Sequence, residues 1–319
     1  MTLILAQASR LFGLEVSDRL VTRLAQPFDP LSNKNVLFFA RDAVVALGYT
    51  GLAYIDGTTT DQWIAEVLTG QQFERGQRPP SMQFRVGSTS GQTFIGPALQ
   101  TIADRLTDAV RKDRRREATA MLFEILGIGW QWNRKSIVRP IMFSIRKASG
   151  QGGAKIWRAQ RHFGRDFRLA GAPEGLLRPS DIEPMGLALK AIRSPDEAEQ
   201  ILVETIRTIA QRPPCIVGPD CMSILLPPPN VLPSVRIRYI SLSAARLAIQ
   251  SRTDGTITQT ANCAFSPWIV SPGLIHAPSL LAGRFNFNVG SFDVQLEAPE
   301  PIGPGLRGAI GAMERPPER

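Results

Sequence analysis

Residues 2–51 read TLILAQASRLFGLEVSDRLVTRLAQPFDPLSNKNVLFFARDAVVALGYTG, and this stretch decides the fold. Thr2 to Ala8 is a β-type apolar run. Leu14 to Thr22 alternates apolar with polar side chains, the period of a strand that turns one face to a core. Gly13 reads as the turn between them. Gln26 to Asn35 carries Pro27 and Pro30 among polar residues and reads as a loop. Val36 to Ala40 and Ala43 to Leu47 are short strands joined at Arg41-Asp42. Gly48-Tyr49-Thr50-Gly51 then reads as a turn.

Further along, Trp63, Ile64, Val67 and Leu68 recur at helical spacing over Thr60 to Thr69. Gly70 to Gly96 is polar, glycine-rich loop. Pro97 suits the first turn of a second helix, whose apolar face is Leu99, Ile102, Ala103, Leu106, Ala109 and Val110, ending near Arg114. Three strand-like stretches follow: Ala118 to Gly127, Ile137 to Arg146 and Ile156 to Leu169. Two helices come next, Pro184 to Ile192 and Asp196 to Ala210. The second opens on Ser194-Pro195-Asp196-Glu197: a capping hydroxyl, proline at the first position, then acids in the first turn. Met222 to Leu226 is a strand stopped by Pro227, and Arg236 to Ile249 and Thr256 to Asn262 are further strand candidates.

Blocks of strands alternating with pairs of helices predict an α+β fold, not the strict βαβ order of a parallel sheet. Two antiparallel sheets stacked between two helical layers, a four-layer αββα sandwich, satisfy the order. The expected organisation is one such domain over 1–230, a β-rich extension packed on it over 231–297, and a disordered tail over 298–319, where Pro, Gly and charge dominate.

The 319 residues are enough to bury a real core, and apolar and charged shares of 43% and 20% are those of an ordinary folded protein. No run approaches a membrane span of roughly 18 apolar residues. Cys215, Cys221 and Cys263 form no C-x-x-C pair, and an odd number of cysteines behind an N-terminus that reads as a strand and not a secretion signal leads to the expectation of free thiols in a reducing compartment, the cytoplasm. With only two histidines, His162 and His276, no metal site or other cofactor is expected. The net charge of +9 gathers at Arg111 to Arg116 and Arg158 to Arg168. These runs read as solvated helix ends rather than a nucleic-acid surface, because no aromatics interleave with them to stack bases.

Thr2 behind the initiator Met, Asp18 in the second strand, Lys34 opening the third and Gly48 ending the fourth form one register. In that register, clearest over residues 2 to 70, the chain resembles the proteasome β-subunits and their bacterial relatives within the N-terminal nucleophile (Ntn) hydrolases. The resemblance implies an amidohydrolase or peptidase acting on a peptide or small amide, and assembly into a homo-oligomer. Thr2 would be nucleophile and base, Asp18 and Lys34 a charge pair, and Gly48 the oxyanion donor. A threonine hydroxyl needs a base, and a free α-amino group, titrating near about 8, is one. The scheme therefore requires removal of Met1. The alternative is an inactive scaffold or assembly subunit of the same fold, and a third, less favoured reading is a basic nucleic-acid-binding protein.

The sequence also departs from that family. Arg19 follows Asp18 without an intervening residue. The later Asp-x-x-Ser-Gly element is met only by Asp220 and Ser223, with no glycine after them, and neither is assigned a role. Gly87 to Gly91 lacks the Lys-Ser/Thr of a phosphate loop. His162 reads as a surface residue and His276 as structural.

Overall fold

The structure, a computed structural model, describes residues 2–23, 26–29, 32–73, 94–112, 123–132, 138–147, 154–158, 166–170, 178–229, 234–240, 250–251, 257–258, 264–271, 274–276, 278, 280–281, 284–288 and 294–295. The expected loop around 87–91, most of both basic runs, His162 and the tail 298–319 lie outside them.

Fourteen strands form two seven-stranded sheets. In chain order they are β1 Ile4–Ala8, β2 Gly13–Asp18, β3 Asn35–Phe39, β4 Ala43–Thr50, β5 Glu124–Trp132, β6 Val138–Lys147, β7 Ala154–Arg158, β8 Asp166–Ala170, β9 Cys221–Leu226, β10 Ser234–Ile240, β11 Trp268–Ser271, β12 Leu274–His276, β13 Arg284–Asn288 and β14 Val294–Gln295. Sheet one runs β8-β1-β2-β9-β10-β13-β14 and sheet two runs β7-β6-β5-β4-β3-β11-β12. Every pairing within them is antiparallel except β11 on β3, which sets Trp268 beside Val36 in parallel. The four described helices are α1 Thr60–Thr69, α2 Ile95–Lys112, α3 Pro179–Ala191 and α4 Pro195–Ala210. The protein is thus mixed α+β with antiparallel-dominated sheets.

β1 shows how pattern becomes packing. Successive side chains of a strand point to opposite faces. Leu3 and Leu5 enter a cluster with Met185 and Leu189 of α3 and Leu202 and Ile206 of α4. Ile4, Ala6 and Ala8 enter another with Leu37, Ala46 and Ile128 of sheet two. A third cluster joins Val45, Leu47 and Ile125 of sheet two to Ile64 of α1 and Ile102 of α2. Each fully buried Leu or Ile contributes roughly 1.5–3 kcal/mol, so these contacts dominate the stability.

Several sequence-based boundaries move. The β1–β2 turn is Ser9 to Phe12, not Gly13: the Ser9 N–H donates to the Phe12 carbonyl (2.9 Å), and the Ser9 hydroxyl oxygen accepts from the Leu11 and Phe12 N–H groups. Gln26–Asp29, expected as loop, is a strand paired with Val21–Arg23, a small ribbon whose edge tolerates Pro27. Gly48 lies inside β4, opposite Asn35, and the strand runs on to Thr50. The stretch expected as one strand over 156–169 is two, β7 and β8, at the edges of different sheets. Helix α3 begins at Pro179, because Asp181 accepts from the Arg178 N–H (2.9 Å) and closes the first turn there. Strands β10 and β11, from the expected extension, belong to sheets one and two.

The apolar face foreseen on α2 is buried at Leu99, Ile102, Ala103, Leu106 and Ala109. Its start is held from afar: the Asp42 carboxylate, in the β3–β4 turn, accepts from the Ile95 N–H (2.8 Å) and from Gln131 Nε2 (3.0 Å).

Gly129 of β5 has no room for a side chain beside its neighbouring strand β4. A methyl group on Gly129 would sit 1.9 Å from the Val44 carbonyl oxygen and 2.8 Å from the Val45 Cα, both backbone atoms of β4 that cannot swing aside. Gly129→Ala should therefore lower stability by about 3 kcal/mol, the upper end of ordinary overpacking. Chemical denaturation of the two proteins side by side measures it, and a change under about 0.5 kcal/mol contradicts the packing described.

Candidate active site

The four sequence-predicted residues are Thr2, Asp18, Lys34 and Gly48. Asp18 and Lys34 meet: Lys34 Nζ lies 3.1 Å from Asp18 Oδ2, and both side chains are almost fully buried, at 1% and 0% exposure. A charge so placed needs compensation on every side. Lys34 finds it in Asp18 and in the Leu20 carbonyl, to which it donates at 2.6 Å. Asp18 finds more. Its Oδ1 accepts from the Leu3 N–H (2.6 Å), and its Oδ2 accepts from the Leu20 and Gly218 N–H groups, each at 3.0 Å.

The Leu3 contact ties this pair to Thr2. Asp18 holds the peptide N–H that immediately follows Thr2, and the Asp18 N–H donates to the Leu3 carbonyl (3.1 Å). From the other sheet the Thr50 hydroxyl donates to the Thr2 carbonyl (3.0 Å). Thr2 is buried, with 6% exposure. Strand alternation puts Thr2 on the face of β1 shared by Ile4 and Ala6, toward sheet two.

β4 organises the far wall. The Tyr49 N–H donates to the Lys34 carbonyl (3.0 Å), and its phenol donates to the Asn33 carbonyl (2.8 Å). Asn33 Nδ2 in turn donates to Asp61, in the first turn of α1 (3.2 Å). Gly48 itself carries no side chain for a physical reason: a Cβ there would lie 2.5 Å from Glu15 Oε1 and 3.0 Å from Ile4 Cδ1.

Glu15 was not foreseen. Leu14 and Val16 face the helices, so Glu15 and Ser17 occupy the opposite face of β2. Sheet two covers that face. Ser17 Oγ donates to Asn35 Oδ1 (2.7 Å), and Asn35 Nδ2 donates to Glu15 Oε1. Burial pushes the Glu15 carboxyl up to about 8, and the hydrogen bonds from Asn35 and from the Gly48 backbone offset this only in part. No local signal marked it, because alternation sets Glu15 opposite Leu14 and Val16 without telling that a second sheet covers that side. Arg19 is also buried, and its guanidinium lies 5.5 Å from the centre of the Tyr239 ring.

The residues left unassigned are bonded to neighbours other than Thr2. Ser223 Oγ donates to Glu199 Oε1 (2.5 Å) beneath α4, and Glu199 also pairs with Arg238. The Asp220 carbonyl accepts from the Arg19 N–H (3.1 Å), and its carboxylate accepts from the Tyr239 phenol (3.1 Å). Burial, with Asp18 nearby, raises the Cys221 thiol far above its ordinary value, so it is held as a neutral thiol. Burial lowers His276. Among the described residues no three His, Cys, Asp or Glu side chains gather as a metal site, and no helix is long and apolar enough to cross a membrane.

No protein-family model matches the chain, and no curated protein matches it. Solved structures do. One is an Anbu (Gly-1) mutant from Hyphomicrobium sp. strain MC1: TM-score 0.51, 14% identity, covering 76% of this chain and 88% of that one. Another is Anbu (ancestral beta-subunit) from Yersinia bercovieri: TM-score 0.45, 14% identity, covering 71% and 82%. At this identity the likeness to the Hyphomicrobium protein concerns the fold alone, and in that coarse sense the fold is proteasome-like.

Proposed function

We propose that the chain is a four-layer αββα protein of the Ntn kind and an amidohydrolase or peptidase that uses Thr2 once Met1 is removed. Three apolar clusters, helices against sheet two, sheet against sheet, and sheet one against helices, support the layering. One observation carries the chemistry: a single buried carboxylate, Asp18, grips both the backbone N–H next to Thr2 and the Lys34 ammonium.

In this reading the Thr2 hydroxyl oxygen attacks the carbonyl carbon of an amide while its proton passes to the Thr2 α-amino group. The tetrahedral intermediate collapses to an ester on Thr2, and the leaving amine departs with that proton. Water then hydrolyses the ester. Lys34 supplies positive potential beside the hydroxyl, and Asp18 fixes Lys34. Gly48 is the oxyanion donor in this reading; its backbone bonds Glu15 in the resting structure and would have to exchange that partner for the oxyanion, a donor contributing about 3 kcal/mol. The substrate is a peptide or small amide, no cofactor takes part, and copies assemble into a homo-oligomer in the cytoplasm. Residues 1–230 form the working body, and 231–297 complete its sheets.

The rival reading is an inactive subunit of the same fold. It draws on Ser223, whose hydroxyl is spent on Glu199 instead of supporting Thr2.

Two variants separate these readings. Thr2→Ala should abolish amide hydrolysis while changing stability by less than about 1 kcal/mol, since it removes one hydroxyl and one methyl. Lys34→Ala should abolish turnover as well and cost about 3 kcal/mol, because it strands the Asp18 carboxylate without its counter-charge. The measurement is hydrolysis of a fluorogenic peptide amide by protein whose mass shows Met1 absent, read beside denaturation curves. Full activity in Thr2→Ala removes the nucleophile assignment. Absence of turnover in every Met1-free form selects the inactive subunit.

A further inference from the structure

Glu15 is buried, yet the chemistry above does not use it. It is 0% exposed. Oε1 accepts from Asn35, and Oε2 has no hydrogen-bond partner. Sheet one surrounds it with Ala6 of β1 and Ile224 of β9 at the same register, and Ile4 Cδ1 approaches Gly48 beside it. Sheet two presents Asn35 and Gly48. None of these is titratable. The nearest ions along its own and the facing strand, Asp18 and Lys34, are paired with each other.

Glu15 Oε1 also fills the space that a side chain at residue 48 would take. The carboxyl is therefore a wedge seated on β4, at the start of the segment that reaches the site. Tyr49 holds Lys34 and Asn33, and Thr50 holds Thr2, as described above. We propose that Glu15 is a positioning residue for this site: as a neutral carboxylic acid it clamps β2 of sheet one to Gly48 of sheet two, and its ionisation loosens that clamp. The catalytic consequence rests on the hydrolase reading; the clamp itself does not.

Physical chemistry favours the neutral form. An ionised carboxylate here would have an amide N–H, a backbone N–H and no cation, whereas a neutral acid leaves only a hydroxyl unpaired. The folded-state value of about 8 stands above the ordinary 4.5. Between those two pH values the folded state binds more protons than the unfolded state. Glu15's contribution is thus full below about 4.5, declines as pH rises toward 8, and is lost above it. The slope is at most about tenfold in the folding equilibrium constant per pH unit.

The test compares the full-length protein with E15Q and, should E15Q fail to fold, with E15M, a similarly long side chain that cannot ionise. Denaturation is followed from pH 5 to 9, with hydrogen exchange of the peptide spanning 43–50, corrected for intrinsic rates. In the wild type, opening of that peptide should rise up to about tenfold per pH unit between pH 6 and 8, and in the variant by less than about twofold. In turnover assays the wild-type kcat should fall above pH 8 and that of E15Q should not. A folded variant whose melts and exchange follow the same pH dependence as the wild type overturns the clamp. Altered melts and exchange with an unchanged kcat profile overturn its positioning role. Lack of turnover in every Met1-free protein removes the hydrolase reading while melts and exchange still judge the clamp.

Discussion

Asp18 is a carboxylate removed from water, and four donors replace the water: the N–H groups of Leu3, Leu20 and Gly218 and the ammonium of Lys34. They come from the first strand, the exit of the second, the connection after α4 and the entrance to the third. Desolvating such a group costs several kcal/mol unless every lone pair is used, so the four segments are held to one geometry or the carboxylate is stranded. The placement of Thr2 follows from this constraint, since its neighbouring N–H is one of the four.

The second constraint is the narrowness of the gap between the sheets. Where the sheets carry apolar side chains, as at Ile4, Ala46 and Ile128, the gap closes by ordinary packing. Where polar groups enter it they do so as a chain, Ser17 to Asn35 to Glu15, and a glycine at 48 makes room for the last member. Polar groups in a dry seam fix one relative register of the two sheets more sharply than apolar contact does, because a slip would break each hydrogen bond.

Local patterns in the sequence were faithful where a segment's own chemistry decides its structure. Helix α1 has the bounds expected from Trp63, Ile64, Val67 and Leu68 at helical spacing. Helix α4 starts one residue ahead of the expected Asp196, at Pro195, where Ser194 caps it. The family resemblance implied that Asp18 and Lys34 pair, and they meet. What stayed hidden depends on distant partners. Gly218 reaches Asp18 from 200 residues away. Glu15 drew no assignment because alternation says which side a residue takes but not whether a second sheet covers that side. Gly48 looked like a turn because a glycine that clears space for a neighbour's side chain is indistinguishable, in sequence, from one that clears space for its own backbone.

Strand β3, which leads out of Lys34, waits for β11, whose residues Trp268 to Val270 pair with Val36 to Phe38. β1 likewise waits for β8, and Asp18 for Gly218. The strands around Thr2 are thus closed by segments made later: β8 lies about midway along the chain, and Gly218 and β11 in its last third. Such long-range closure is slow. The order in which the strands are made therefore leaves one edge of β1 and one edge of β3 unpaired until these later partners arrive.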